Sequence, residues 1–208
     1  MQSKLSPNEH TILALATQYG ITNKLEQACM LAQFAFETGN FAHFSENPRY
    51  RYGAALSVFP KYTPQIKALQ ATNKAASTDF VKQPDFFNIV YGGRMGNQLN
   101  GTADNDGYDY RGGGYVHLTG RENYQDLLDW LHSKGQQLQL TIDTVDDWVR
   151  GTAEGAAISA IWFWLDKKCG VPAQKGDVRA LTKIVNGGGN GLAGRIKLTA
   201  YYRSVLGC

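Results

Sequence analysis

The sequence feature that most constrains the fold is the segment from residue 24 to residue 38, which is apolar on nearly every side of a helix. Asn23 followed by Glu26 supplies the cap and the acidic third position of a helix start, and Gly39 ends the pattern. A helix with apolar residues all round is stable only inside a protein. We therefore predict a buried helix over this segment.

Most of the remaining chain also carries helical patterns. Ser6, Pro7 and Glu9 combine a hydroxyl cap, a proline at the first helical position and an acid three residues after the cap, which predicts a helix over 7 to 20. Apolar residues recur at helical spacing in four later stretches, namely 121 to 134, 152 to 168, 177 to 185 and 192 to 205. The predicted fold class is therefore mainly α.

A middle part of the chain differs from the rest in its proline content and in the length of its helical patterns. Prolines are spread among short helical patches between 47 and 91, which suits a smaller helical lobe inserted into a large lobe formed by 1 to 46 and 92 to 208. Residues 92 to 114 are rich in Gly, Asn and Asp and are predicted to be irregular, and 115 to 119 are predicted as a short strand. With no internal repeat and no linker-like tract, the chain is expected to form a single domain of two lobes.

Charge and cysteine content exclude several classes of protein. The net charge of +3 comes from scattered Lys and Arg, which excludes the basic stripe of a nucleic-acid binder but leaves room for weak attraction to an anionic polymer. Cys29, Cys169 and Cys208 are far apart and odd in number, which argues against a disulfide framework and a structural zinc site and favours a reducing cytoplasm. The four histidines lack metal-ligand spacing, so no metal is expected.

Glu37 is the first candidate for catalysis. It is the lone carboxylate in the C-terminal half of the apolar helix, and it stands beside the negative end of the helix dipole. Neighbouring Phe34, Phe36 and Phe41 are expected to desolvate it, and both effects disfavour the ionised carboxylate, as a general acid requires. On local sequence alone, a glutamate that reaches water from a helix end explains the pattern equally well.

Glu46 is a candidate partner for that acid. It stands in a Ser-Glu-Asn-Pro sequence, where the proline favours an extended or turn conformation and keeps the carboxylate on a solvated loop. A helix-end acid and a wetter loop carboxylate form the asymmetric pair that glycoside hydrolysis uses, with the second group activating water. Taken alone, Glu46 also fits an ordinary surface residue.

Two glycine-rich segments offer candidate binding residues. Thr119 and Asn123, in the segment 107 to 124, stand four apart and are able to place a hydroxyl and an amide side by side, for an N-acetyl group or for a water. A glycine-rich turn before a helix, capped by Thr119 or a neighbour, is the alternative. The second segment, 186 to 191, lacks the Gly-Lys-Ser/Thr of a phosphate loop and is interpreted as a sharp turn whose Asn186 side chain can reach a ligand.

Five short motifs occur in order along the chain, namely Phe36-Glu37-Thr38-Gly39-Asn40-Phe41, Ser45-Glu46-Asn47, Tyr110-Arg111-Gly112-Gly113-Gly114, His117-Leu118-Thr119-Gly120 with Asn123-Tyr124, and Val185-Asn186-Gly187-Gly188 with Asn190-Gly191 and Arg195. Together they resemble the ordered motifs of family 19 glycoside hydrolases, the chitinase-like group of the lysozyme-like superfamily. The short chain, without a signal or a chitin-binding module, resembles the phage endolysin branch of this group more than the plant chitinases.

The resemblance implies a lysozyme-like bilobal fold and the hydrolysis of β-1,4-glycosidic bonds of bacterial peptidoglycan, with inversion at the anomeric carbon and without a cofactor. By the same resemblance Glu37 is the general acid, Glu46 is the general base, and Thr119 helps to hold the attacking water. The remaining assigned residues bind substrate or, for the last of them, support the carboxylates: Tyr110, Arg111, His117, Asn123, Asn186 and Arg195.

Two departures from the family pattern affect the site. Phe36 stands where the family commonly has histidine, which is expected to make the surroundings of the acid drier, and His117 stands where glutamine is common, which is expected to reposition a substrate contact. Three alternatives stay open at this point: a chitinase, a lytic transglycosylase that tolerates loss of Glu46, and a non-catalytic glycan-binding protein.

An endolysin of this kind is expected to be a monomer whose partner is the glycan strand of bacterial peptidoglycan, with no nucleic acid, no stable membrane association and no separate wall-binding module. No signal peptide is recognised in the sequence. We therefore expect the protein to stay in the host bacterial cytoplasm until a holin-type membrane permeabiliser releases it to the cell wall, where its activity leads to lysis.

Overall fold

The computed structural model describes residues 5–98, 105–135 and 138–208. These residues form twelve α-helices and one short 3-10 helix, and their only β pairing is two isolated bridges. The predicted mainly α fold of the lysozyme-like kind is confirmed. Within the described ranges, no helix combines the length and the apolar character needed to cross a membrane.

Backbone contacts divide the chain into two compact units. The first unit comprises Met1–Phe44, Gly113–Leu118 and Asp147–Cys208, and the second comprises Ser45–Gly112 and Thr119–Asp146. The second unit thus contains the segment that was predicted as the smaller lobe, together with residues on both sides of it, Glu46 among them, that the sequence had assigned to the large lobe. The lobe boundaries themselves stay a prediction.

Six helices lie wholly in the first unit: α1 (Pro7–Gln18), α2 (Lys24–Glu37), α9 (Ala153–Asp166), α10 (Gly170–Ala173), α11 (Val178–Asn186) and α12 (Leu192–Leu206). Among the described elements, the most extensive packing is between α2 and α12. This pairing brings the C-terminal part of the chain onto the buried helix.

The predicted caps form at the start of α1 and α2. Ser6 accepts a hydrogen bond from the backbone of Glu9, whose side chain returns to the backbone of Ser6, so the capping box is complete. Asn23 Oδ1 accepts from the backbone N–H of Glu26 at 3.0 Å. These local bonds fix where the two helices begin, as the sequence predicted.

The prediction that α2 is buried is confirmed, and even the carboxylate at its start lies inside. Glu26 is 6% exposed, and its two carboxylate oxygens accept from Trp164 Nε1 at 3.0 Å and from Gln174 Nε2 at 2.7 Å. Phe34 packs edge-on against Trp164, with the ring centroids 6.0 Å apart. The helix that ends in Glu37 is therefore held firmly from its first turn.

The second unit contains α3 (Tyr52–Val58), a 3-10 helix (Pro60–Tyr62), α4 (Thr63–Thr72), α5 (Asp85–Tyr91), α6 (Asp106–Asp109) and α7 (Arg121–Ser133), whereas α8 (Ile142–Gly151) has residues in both units. Its core is an apolar cluster formed by Tyr52, Ala55, Ile66, Val81, Phe86, Phe87 and Val90. Since α5 supplies three of these residues, its C-terminal end, which carries Tyr91, is anchored in the core.

The predicted strand at 115 to 119 is wrong. Gly114 and His117 have φ angles of 70° and 51°, and this left-handed backbone turns the chain instead of extending it. The segment keeps one isolated bridge, between Gly113 and Leu118, which closes a tight loop. His117 is half-buried in this loop.

Candidate active site

Glu37 is the last residue of α2, and the chain reverses sharply after it. Gly39, Asn40 and Phe41 follow with φ angles of 59°, 62° and 62°, three consecutive residues in the left-handed region. Thr38 Oγ1 secures the reversal, because it donates to the carbonyl of Phe34 at 2.7 Å and accepts from the N–H of Phe41 at 3.0 Å. The position of the Glu37 backbone is therefore well defined.

The Glu37 carboxylate is bound by a buried arginine. Its side chain is 19% exposed, and Oε1 accepts from Nη2 of Arg195 at 2.5 Å, while the Arg195 side chain is completely buried. The local sequence predicted apolar surroundings only. Arg195 lies far along the chain on α12, so only the family resemblance, not the neighbourhood of Glu37, pointed to this contact.

The three phenylalanines expected to desolvate Glu37 take different positions. Phe34 packs against Trp164, and Phe41 packs edge-on against Tyr115 with the centroids 5.3 Å apart. Phe36 is 36% exposed, and the guanidinium carbon of Arg195 lies 4.4 Å from the centre of its ring. Phe36 therefore makes a cation–π contact with the arginine that holds Glu37.

Phe36 also fills the space left by two glycines at the start of α12. A Cβ atom on Gly194 would lie 2.5 Å from Cε2 of Phe36, and a Cβ atom on Gly191 would overlap Cζ of the same ring. The ring is thus wedged between these glycines and Arg195. Any side chain at either glycine must displace it.

Replacing Gly191 by alanine is expected to destabilise the protein more than the same change at Gly187. Both glycines have left-handed φ angles, 74° and 75°, so both variants carry similar backbone strain, about 1 kcal/mol. A Cβ on Gly187 meets nothing within 4 Å, whereas a Cβ on Gly191 overlaps Phe36. This overlap should lower the free energy of unfolding by about 1–3 kcal/mol more. Urea unfolding of the two variants measures the difference.

A second change separates the overlap from the strain at Gly191. In a Phe36→Ala background the ring is absent, so Gly191→Ala should then cost no more than Gly187→Ala. Equal losses for the two glycine variants in the wild-type background would contradict the predicted wedge.

Asn186 and His117 are the other predicted site residues of the first unit. Asn186 is the last residue of α11, is exposed, and precedes Gly187, whose left-handed φ angle ends the helix. His117 lies in the loop after Gly114, and its backbone N–H donates to the Gly114 carbonyl at 3.3 Å. Their roles toward a substrate stay predictions.

An open groove of about 450 Å³ lies along α11 and the glycine segment that follows Asn186. Two exposed cations, Arg179 and Lys183, line this groove. Asp177 is the one acid among its lining residues, and its side chain caps α11 by accepting a hydrogen bond from the N–H of Ala180 at 2.9 Å. The lining residues are Asp177, Arg179, Ala180, Thr182, Lys183, Gly188, Gly189 and Leu192.

In the second unit, Glu46 is held by a tyrosine and by the backbone. The hydroxyl of Tyr91 lies 3.0 Å and 3.1 Å from the two carboxylate oxygens, and the N–H of Gly112 donates to Oε2 at 3.2 Å. The N–H of Glu46 in turn donates to the carbonyl of Gly112 at 2.8 Å. These two groups donate to the carboxylate and so fix its orientation.

Tyr91 is a site residue that sequence reasoning missed. Burial raises the pKa of its hydroxyl far above the ordinary value, and the negative charge of Glu46 raises this pKa further. The hydroxyl therefore keeps its proton and remains a donor to Glu46. No motif marks Tyr91 in the sequence, because it meets Glu46 across 45 residues of chain.

Thr119 and Asn123 are brought together, but by a different contact from the one predicted. Nδ2 of Asn123 donates to the backbone carbonyl of Thr119 at 2.7 Å, so the amide is tied to the main chain of Thr119. Gly120, between them, has a φ angle of 94° and begins α7 without a side-chain cap. The alternative of a glycine-rich turn before a helix therefore holds with the neighbour Gly120, not Thr119, at the cap position.

Tyr110 and Arg111 make their described contacts within the second unit. Tyr110 is 4% exposed, its hydroxyl donates to the carbonyl of Ile142 at 3.1 Å, and burial raises its pKa to about 12. The guanidinium of Arg111 lies 4.1 Å above the ring of Tyr108 and donates to the carbonyl of that residue at 2.7 Å. Their predicted contacts with substrate remain predictions.

The two buried cysteines are poorly suited to act as nucleophiles. Burial raises the pKa of Cys29 to about 11 and that of Cys169 to about 12, so both thiols stay protonated and unreactive at neutral pH. Within the described ranges, no group of three or more His, Cys, Asp or Glu side chains is placed to hold a metal ion.

Comparison with known proteins identifies the family of the chain. A protein of Haemophilus influenzae, described as a glycosyl hydrolase family 19 domain-containing protein, is 31% identical to this chain over 196 residues. The match covers 94% of this chain and 86% of that protein, and so it includes both carboxylate regions. No protein-family model matches the chain.

Proposed function

Because the chain belongs to glycoside hydrolase family 19, we propose that it hydrolyses the β-1,4-glycosidic bonds of bacterial peptidoglycan by general acid and base catalysis. The family makes it a glycoside hydrolase, and the finer statements, on bond, substrate and biological role, are the proposal. The observation that carries it is the pairing of a partly exposed Glu37 with the buried Arg195, which gives a helix-end carboxylate a fixed orientation.

Glu37 is the proposed proton donor. In its protonated form it gives a proton to the glycosidic oxygen as the bond from that oxygen to the anomeric carbon breaks. The carboxylate that remains is negative, and Arg195, at 2.5 Å, stabilises that charge as it develops. Arg195 also fixes one carboxylate oxygen, so the other is left to face the substrate.

Glu46 is the proposed base. It takes a proton from a water whose oxygen forms the new bond to the anomeric carbon, so that one water is added across the broken bond and the configuration inverts. Tyr91 and Gly112 hold the carboxylate by donating to it. Thr119 is proposed to hold this water, and Asn123 is proposed to bind the N-acetyl sugar.

Charge supports peptidoglycan over chitin as the substrate. Peptidoglycan carries free carboxylates on its stem peptides, whereas chitin is neutral. The net charge of the protein is +3, and Arg179 and Lys183 line the groove beside the segment that follows Asn186, a proposed substrate-binding residue. Bacterial cell-wall lysis, as by an endolysin, is the biological role that such an activity would serve.

Removing the two groove cations is expected to weaken the use of peptidoglycan alone. In the variant Arg179→Gln with Lys183→Gln, KM for solubilised peptidoglycan should rise about 2–10-fold, because two exposed charge contacts are lost, whereas KM for neutral chitin oligomers should not change. The difference should shrink in about 0.5 M salt. A variant with glutamine at Lys175 and Lys197, which are exposed and outside the groove, is the matched control.

Mass spectrometry of digested peptidoglycan tests the reaction itself. Hydrolysis leaves new reducing ends, and their position tells muramidase from glucosaminidase cleavage. Anhydro-muramic ends would identify a lytic transglycosylase. Release of soluble sugars from chitin, while peptidoglycan stays intact, would identify a chitinase. Binding to peptidoglycan without any new ends would show a non-catalytic glycan-binding protein and overturn the proposal.

A further inference from the structure

We propose that Gln33 is a positioning residue that orients Arg195 toward Glu37, an inference that rests on the proposed role of Glu37 as the acid. Gln33 lies on α2, one helical turn before Glu37, and is completely buried. Its Oε1 accepts a hydrogen bond from Nη1 of Arg195 at 2.6 Å. Neither the motifs of the sequence nor the proposed mechanism gives this residue a role.

Gln33 completes the fixation of the guanidinium. Nη2 of Arg195 binds Glu37 at 2.5 Å, Nη1 binds Gln33 at 2.6 Å, and Nε makes a longer bond of 3.4 Å to the carbonyl of Asn190. The ring of Phe36 covers one face of the same group. Since the guanidinium is a rigid planar fork, fixing Nη1 sets the direction in which Nη2 meets Glu37.

The neutral character of Gln33 preserves the charge of Arg195 for Glu37. An amide oxygen accepts a hydrogen bond without a full negative charge, so Arg195 keeps Glu37 as its one carboxylate partner among the described ion pairs. A carboxylate at the same place would instead divide the cation between two anions. The amide thus supplies geometry, and Glu37 supplies the counter-charge.

The other end of the Gln33 amide indicates that the residue is not there for packing. Its Nε2 is buried and has no hydrogen-bond partner in the described structure, which is unfavourable for stability. An apolar side chain of similar size would fill the same space without that unpaired group, but it would leave Nη1 of Arg195 without its acceptor. The useful part of the residue is therefore the oxygen that faces Arg195.

Replacing Gln33 by methionine tests the inference. Methionine keeps the length and removes the acceptor, so Arg195 is free to turn and kcat on peptidoglycan should fall about 10–100-fold. KM should change less than about 2-fold, because Gln33 acts on the acid and not on bound substrate. Urea unfolding should show lower stability, because Nη1 of the buried Arg195 loses its acceptor, and this loss outweighs the removal of the unpaired Nε2 of Gln33. Gln33→Leu, which also lacks the acceptor, is the second variant if the first does not fold.

A matched control and a double mutant make the result specific. Gln27→Met is the same change on the same helix, and it removes bonds to the carbonyl of Ile21 and the hydroxyl of Thr17 without touching Arg195, so kcat should be unchanged. If Gln33 acts through Arg195, then Gln33→Met in an Arg195→Lys background should lower kcat less than about 3-fold further. An equal loss in both backgrounds would overturn the inference.

Failure of this inference differs from failure of the proposed function. If Gln33→Met keeps full kcat while Glu37→Gln is inactive, the acid is correctly assigned and Gln33 has no positioning role. If Glu37→Gln keeps full kcat, the proposed function is itself wrong.

Discussion

Replacing Glu37 by glutamine should lower kcat on peptidoglycan by about 100–10,000-fold, the contribution that a general acid commonly makes. Glutamine has nearly the same shape, and its carbonyl oxygen can still accept from Arg195, but its amide cannot release a proton to the glycosidic oxygen. The formation of new reducing ends measures the loss. Binding to sedimented peptidoglycan should persist, because the substitution leaves the groove and the second unit unaltered.

The same substitution should also reduce stability, and a control is needed to separate the two effects. Arg195 is completely buried, so the loss of its counter-ion should cost up to about 3 kcal/mol. Glu26→Gln is the matched control, since Glu26 is a buried carboxylate on the same helix that accepts from the neutral donors of Trp164 and Gln174. It should lose stability and keep its activity. Full hydrolysis by the Glu37 variant would refute the assignment of the acid.

Replacing Glu46 by glutamine should lower hydrolysis of peptidoglycan by about 100–10,000-fold as well. The amide oxygen can accept from Tyr91 or from Gly112, so the local structure should survive, but the amide cannot take a proton from water. Mass spectrometry of the digested wall measures both the amount and the kind of product.

The Glu46 variant also distinguishes hydrolysis from transglycosylation. A lytic transglycosylase needs no attacking water, so continued cleavage with anhydro-muramic ends would contradict the proposed base. Glu122→Gln provides the control, because Glu122 is an exposed carboxylate of α7 in the same unit and makes no described contact with Glu46. Its products should match those of the unaltered protein.

The sequence predicted the elements whose ends are set by local chemistry. The bounds of α1 and α2 follow from side-chain caps at Ser6 and Asn23, which act within four residues, and the observed helices begin where these caps place them. It did not predict α8, Ile142–Gly151. This helix buries Val145 and Val149, but it has few other apolar residues, and so short a pattern does not separate a helix from a loop.

The candidate site was predicted as a set of residues more than as a set of contacts. Motifs named Glu37, Glu46 and Arg195, and the resemblance gave Arg195 its role toward the carboxylates, but no motif named the further side chains that bind Glu46 and Arg195. Tyr91 and Gln33 bear no motif, because what defines them is a bond across 45 residues and a bond across 162 residues. Such contacts depend on packing, which local pattern does not specify.

The wedge formed by Phe36 has a consequence for how relatives of this protein can diverge. A large ring at position 36 requires that positions 191 and 194 stay without side chains, since any Cβ there meets the ring. If a relative has a smaller side chain at position 36, positions 191 and 194 can carry side chains. If a glycine is replaced first, the ring of Phe36 can no longer lie beside Arg195. These three positions should therefore be inherited and replaced together, as one unit of variation next to the acid.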